Sequence, residues 1–230
     1  MKTIGLLGGM SWESTLTYYQ LLNEGVKETL GGLHSAKILL HSFDFDEIAE
    51  LQRDAAWDDA GEILGRAAAG LEAAGAEMML ICTNTMHLVE SAVRAHTTVP
   101  LLHIADATAE TAKAAGYKKL ALLGTSFTME QDFYKGRIAE KYGIEVITPE
   151  AADRQIIHDI IFEELCKGDV RDSSRLEYIR IIEGLSAQGA DAAILGCTEI
   201  GLLVKPEHTA VPLLDTTAIH CAAAVRVALA

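Results

Sequence analysis

The chain has 230 residues, half of them hydrophobic, with 19 Lys and Arg against 33 Asp and Glu. That apolar fraction excludes a disordered chain, and its short apolar runs, broken by charge or glycine, predict no membrane span. A net charge of −14 removes the basic surface on which phosphate binding rests, so no nucleic-acid partner is expected.

In chain order, the apolar start Met1–Leu7 ends at Gly8-Gly9 and runs into Ser11-Trp12-Glu13. Without a small-residue cleavage site, this reads as a first strand rather than an export signal. Strands are predicted at Thr3–Leu7, Lys37–His41, Glu77–Cys82, Leu101–Ile104, Lys119–Leu123, Glu145–Ile147, Asp191–Leu195 and Leu213–Leu214. Helical patterns such as Ser14–Leu30, Trp57–Ala74 and Ser173–Ala187 lie between them. Alternation of this kind, with near-continuous apolar strands, predicts an α/β fold of mostly parallel sheets flanked by helices. Cys82, Cys166, Cys197 and Cys221 form no CxxC pair, which predicts reduced thiols in a cytoplasmic protein. Cys166 and Cys221 read as small core hydrophobes.

Three phrases recur in the same order. Lys2–Gly8 returns as Lys118–Gly124, Gly75-Ala76-Glu77 as Gly189-Ala190-Asp191, and Val99-Pro100-Leu101-Leu102 as Val211-Pro212-Leu213-Leu214. The near-constant offset predicts two pseudo-symmetric halves, 1–110 and 111–230, with the last helix free to pack back on the first half. Ligands of open α/β sheets bind beyond the carboxyl ends of the strands, so the expected site is a cleft lined by both sets of strand-end loops.

Those loops are polar. Thr83-Asn84-Thr85 follows one predicted strand and Cys197-Thr198-Glu199 its counterpart, aligning Thr83 with Cys197. Such a pair offers one group to each face of a small ligand, as proton removal on one side and return on the other requires. Gly8-Gly9-Met10-Ser11 and Gly124-Thr125-Ser126-Phe127-Thr128 supply backbone N–H groups and hydroxyls suited to a carboxylate. Ser11 and Thr125 fit equally well as turn and cap residues. Neither GxGxxG spacing nor a Walker lysine is present, which argues against a nucleotide.

Over nearly its whole length the sequence resembles the cofactor-independent aspartate/glutamate racemases. The resemblance rests on GLLGGMSWEST at Gly5–Thr15, TNTMH at Thr83–His87, LLGTSFTM at Leu122–Met129 and GCTEIGLL at Gly196–Leu203. It implies two α/β domains with the substrate between them, a homodimer, and an amino-acid substrate. It implies no pyridoxal phosphate and no metal, with a cysteine from each domain as the acid–base pair. Here the first cysteine of that pattern is replaced by Thr83, and Cys82 stands one residue early, where strand alternation turns it to the opposite face. Cys197 keeps its place.

The resemblance further implies Asn84, Thr85, Thr125, Ser126, Thr128 and Thr198 as donors to the α-carboxylate, with Met10 in the first glycine loop. Glu199 is implied for the ammonium group and Lys167 for the distal end of the side chain, with Gln52 and Arg53 where the first-domain contact to that end would fall. Gln52 and its neighbour Arg53 also fit as solvated helix polarity. A threonine hydroxyl is a poor base without activation but can give up a proton, so a preference for the L-enantiomer is expected. His41 with Asp44 and Asp46, or His103 with Asp106, lack the spacing of a helix-borne metal pair. Two rival classes share part of the pattern: a single-cysteine decarboxylase or isomerase of the same superfamily, and a non-catalytic amino-acid binder.

Overall fold

The computed structural model describes residues 1–230 in two compact units. The first comprises Met1–Ile104 together with His220–Ala230, the second Ala105–Ile219.

Chain order in the first unit is β1 (Ile4–Gly8), α1 (Trp12–Leu30), β2 (Ile38–Ser42), α2 (Phe45–Arg53), α3 (Trp57–Ala73), β3 (Met78–Ile81) and α4 (Glu90–Ala95). Its three strands are parallel in the order β2-β1-β3. Every residue of β1 and β3 is buried, as expected for parallel strands covered on both faces. Alternation divides β3 cleanly. Met78, Leu80 and Cys82 join Tyr18, Leu22 and Val26 of α1 in one core cluster, while Met79 and Ile81 join Leu64, Ala68 and Leu71 of α3 in the other.

The second unit begins within α5 (Ile104–Ala114). It continues with β4 (Lys119–Gly124), α6 (Ser126–Glu130), α7 (Asp132–Tyr142), β5 (Glu145–Ile147), α8 (Ala151–Glu163), α9 (Asp172–Ala187), β6 (Ala192–Gly196), α10 (Ile200–Leu203) and β7 (Leu213–Asp215). Four parallel strands lie in the order β5-β4-β6-β7, with α8 and α9 packed on the sheet. The last helix, α11 (Thr216–Leu229), starts in this unit; from His220 onward it belongs to the first, where Cys221, Ala224, Val225 and Ala228 pack on α1.

The repeated phrases have a hydrogen-bonding explanation. Gly75 and Gly189 each end a helix at a positive φ, 100° and 96°, which an L side chain adopts only with strain. Each is followed by an acid that caps the neighbouring strand: Thr3 N–H donates to Glu77 Oε2 at 2.7 Å, and Lys118 and Lys119 N–H donate to Asp191 Oδ2 at 2.7 and 2.9 Å. Pro100 and Pro212 cannot donate, but their carbonyls accept from Met79 and Ala193 N–H at 2.9 and 2.8 Å.

The predicted strand Leu101–Ile104 is corrected. Only Leu101 pairs, in an isolated parallel bridge to Met79, because α5 already begins at Ile104 and claims the following residues. The first long helix starts at Trp12 rather than Ser14, since Ser11 provides its cap.

Candidate active site

In the first unit, the carboxyl end of β1 turns sharply. A Cβ on Gly9 would stand 2.3 Å from the Phe43 carbonyl oxygen, so the close approach, with φ at 85°, requires glycine. Gly9 N–H donates to Thr15 Oγ1 at 2.8 Å, and that hydroxyl donates to the Ser11 carbonyl at 2.8 Å. Ser11 caps α1 by accepting from Ser14 N–H, so its hydroxyl has a structural use. Met10 is buried in the cluster that holds Met86. Gln52, also buried, donates through Nε2 to Met86 Sδ at 3.1 Å, whereas Arg53 is exposed.

Beyond β3, Thr83 lies half-buried at a bend, with Asn84 and Thr85 buried beside it as the chain enters a 3-10 turn, Thr85–Val89. Cys82 is fully buried and packs with Leu6, Tyr18 and Cys221; burial alone drives its thiol far up. It is a core residue, inert as an acid or base at neutral pH.

In the second unit, β4 and β6 end on paired glycines, Gly124 and Gly196. A Cβ on Gly124 would meet the Gly196 carbonyl at 2.8 Å, so the strand ends approach more closely than side chains permit. Thr125 caps α6, accepting from Thr128 N–H at 3.3 Å, and its hydroxyl lies 3.1 Å from that of Thr128. Ser126 N–H donates to Nδ1 of His158 at 3.2 Å. Burial lowers the pKa of this imidazole, matching a ring nitrogen that must stay bare to accept.

After β6 come Cys197, Thr198 and Glu199, all buried. The Cys197 thiol and the Thr198 hydroxyl both donate to Glu199 Oε2, each at 2.9 Å. Burial first, then the facing Glu199 carboxylate, holds the thiol well above its ordinary range. Lys167 is exposed and its ammonium is paired with Glu163 at 2.5 Å. To hold a substrate carboxylate it would have to exchange that partner.

The family model for Asp/Glu/hydantoin racemases matches residues 7–224. The chain belongs to that family. It is therefore placed among racemases, which are isomerases. A Yersinia pestis protein assigned to the Asp/Glu racemases is 54% identical, with each chain covered 100% and a TM-score of 0.93. An aspartate racemase homologue from Pyrococcus horikoshii is 35% identical, again with 100% of each chain covered, at a TM-score of 0.86. The broad specificity amino-acid racemase RacX of Bacillus subtilis is 24% identical over 220 residues, 94% of this chain and 93% of its own. The two parallel sheets flanked by helices are the architecture of these structures.

Three residues that sequence reasoning passed over bear on these loops. His87 closes the TNTMH motif, one helical turn beyond Thr83, and that spacing is its signal in the sequence. His158 has no local signature. Asp215 accepts from Thr217 and Ala218 N–H at 2.9 and 3.1 Å, capping α11, which the Asp-Thr-Thr sequence before an apolar run could have signalled.

Proposed function

We propose that the protein interconverts the enantiomers of aspartate- and glutamate-like amino acids by proton transfer at the α-carbon, without pyridoxal phosphate or metal. The observation that carries this reading is the buried Cys197 thiol bonded to the Glu199 carboxylate at the carboxyl end of β6. A thiol becomes a base only as thiolate, and Glu199 is the acceptor positioned to take its proton. The thiolate then takes the α-proton of the L-enantiomer and becomes a thiol again, and Thr83 gives a proton to the carbanion on the opposite face. Water reprotonates the Thr83 oxygen and takes the proton held by Glu199, which closes the cycle.

An amino-acid α-proton is much less acidic than a thiol, so the carbanion needs stabilisation at its carboxylate. Asn84, Thr85, Thr125, Ser126, Thr128 and Thr198 are the donors assigned to that group, and the other oxygen of Glu199, Oε1, is assigned to the ammonium. Gln52 and Lys167 are assigned to the distal end of the side chain, and Met10 to a substrate contact from the first glycine loop. A buried neutral amide at Gln52 suits a distal oxygen without demanding full charge. The aspartate- and broad-specificity names of the similar proteins support this substrate class.

The proposed setting is a cytoplasmic homodimer. No helix is long and apolar enough to cross a membrane. Trp12, Leu16 and Tyr19, exposed on one face of α1, offer a second copy an apolar stripe to cover. The deciding experiment is chiral analysis of L-aspartate, L-glutamate and an uncharged amino acid after incubation with the purified protein. The D-form should accumulate from the acidic substrates; none from any substrate would end the racemase reading.

A further inference from the structure

Behind Thr83 lies a group of three buried histidines, His87, His103 and His220, all in the first unit. The rings of His87 and His103 are 4.4 Å apart and those of His87 and His220 6.0 Å apart. Their hydrogen bonds determine where two of the imidazoles carry protons. His87 Nδ1 lies 2.8 Å from the Thr83 carbonyl oxygen, which can only accept, so Nδ1 bears hydrogen. Ile104 N–H donates to His87 Nε2 at 3.2 Å, so Nε2 is bare. His220 has the opposite tautomer: Nε2–H donates to the Leu102 carbonyl at 2.9 Å, and Nδ1, 2.9 Å from the Tyr18 hydroxyl, accepts from it.

The two histidines thus grip one short segment. Leu102 is held through His220 to Tyr18 of α1, and Ile104, two residues on, is held through His87 to Thr83. The His87 backbone N–H is bonded to the Asn84 carbonyl at 3.1 Å, so it is the ring that reaches Thr83. After Cys197 the matching position carries no side chain. Four residues beyond that cysteine stands Gly201, where a Cβ would lie 2.6 Å from Asp215 Oδ2. The loop after β3 is therefore secured by a side chain at the position where the loop after β6 has none.

We propose that His87 is the positioning residue for Thr83: as a neutral imidazole protonated on Nδ1, it ties the Thr83 carbonyl to the Ile104 amide. It thereby fixes the main chain from which the Thr83 hydroxyl is presented. A threonine hydroxyl on a single short side chain has little reach, so its aim depends on its backbone more than that of a longer acid would. The proton-return role rests on the racemase reading above; the anchoring itself does not.

The experiment has two arms. In the first, long-range 15N NMR of the unmodified protein should show His87 with a proton on Nδ1 and a bare Nε2. In His87→Leu the Thr83 carbonyl 13C shift should move, and in His87→Asn, whose amide can replace the Nδ1–H donor, it should stay close to that of the unmodified protein. An Nε2–H tautomer, an imidazolium, or an unmoved Thr83 carbonyl in His87→Leu would overturn the proposal whatever the activity.

The second arm compares racemisation with α-deuterium wash-in from L-substrate. His87→Leu should lose racemisation by about tenfold or more while wash-in changes by less than about threefold; His87→Asn should recover most of the racemisation. Equal loss of both in His87→Leu would make His87 merely structural and sink the proposal. If the unmodified protein exchanges neither enantiomer, the racemase reading fails instead, and the first arm still decides the anchoring.

Discussion

Cys197 Sγ lies 2.9 Å from Glu199 Oε2, with the thiol as donor. Burial and the Glu199 charge both favour the protonated sulfur, so the resting site stores a proton at Cys197 rather than a thiolate. In the proposed mechanism, forming the base requires that proton to leave through Glu199. Glu199 thus raises the thiol in the resting protein, and the proposed mechanism gives it a second use as acceptor of that proton.

Two substitutions separate these effects. Cys197→Ser should preserve the fold and lower α-proton exchange by several powers of ten, each worth about 1.4 kcal/mol of barrier. Glu199→Gln removes the neighbouring charge, so the thiol pKa should fall and alkylation by iodoacetamide should quicken at fixed pH. Racemisation should nevertheless drop by about 100-fold or more, the range of a lost proton acceptor. Near-normal exchange in Cys197→Ser would remove it from the mechanism; equal alkylation rates would detach Glu199 from the thiol.

His220 makes stability depend on pH. Burial lowers its pKa from 6.5 to about 4, so the folded protein takes up this proton later than the unfolded chain does. The contribution is fully present above pH 6.5 and is lost as pH falls from there toward 4. Its size is about 3 kcal/mol, from about 1.4 kcal/mol per pKa unit. Denaturant melts from pH 7.5 to 4 should lose stability over that window in the unmodified protein. In His220→Gln, which keeps a donor for the Leu102 carbonyl, the slope should be shallower; an unchanged slope would assign the loss to other groups.

The proposed chemistry uses only side chains. Dialysis against a strong chelator should leave racemisation unchanged, and the protein should show no absorbance from a bound aldehyde cofactor. Activity lost on dialysis and restored by one metal ion would require a different mechanism.

What the sequence made legible was what local chemistry dictates. Continuous apolar runs such as Ile4–Gly8 and Ala192–Gly196 mark buried parallel strands, and their parallel α/β arrangement follows. Glu77 and Asp191 stood out as a repeat before their shared use as strand caps was visible. Leu101–Ile104 was misread because apolar residues ending a buried bridge and those opening α5 look alike in a row. Lys167 carries the right charge, but its pairing with Glu163 one helical turn earlier is decided by rotamers. The His87 anchor was hidden for a deeper reason. Its tautomer depends on which groups face the two nitrogens, and Ile104 reaches Nε2 only through the fold.

On the proposed mechanism, Thr83 in the place that the resemblance gives to a cysteine should show as an asymmetry between enantiomers. On the proposed mechanism Cys197 takes the L-proton, whereas a hydroxyl serves the D-side poorly as a base. Thermodynamics limits the form of that asymmetry. Racemisation has an equilibrium constant of one, so kcat/KM must be equal in the two directions. One-way behaviour can arise only from unequal KM and kcat, or from exchange that returns the L-form without inversion. Deuterium wash-in should therefore be fast from L-aspartate or L-glutamate and slow from the D-enantiomers. Thr83→Cys places a thiol at the half-buried bend after β3 and should gain D-side exchange by about tenfold or more, the scale of general-base assistance. Cys82 is not a substitute, because its side chain lies in the core with Tyr18 and Cys221. Equal wash-in from both enantiomers in the unmodified protein would show that Thr83 is already a competent base, activated by a partner other than those named above.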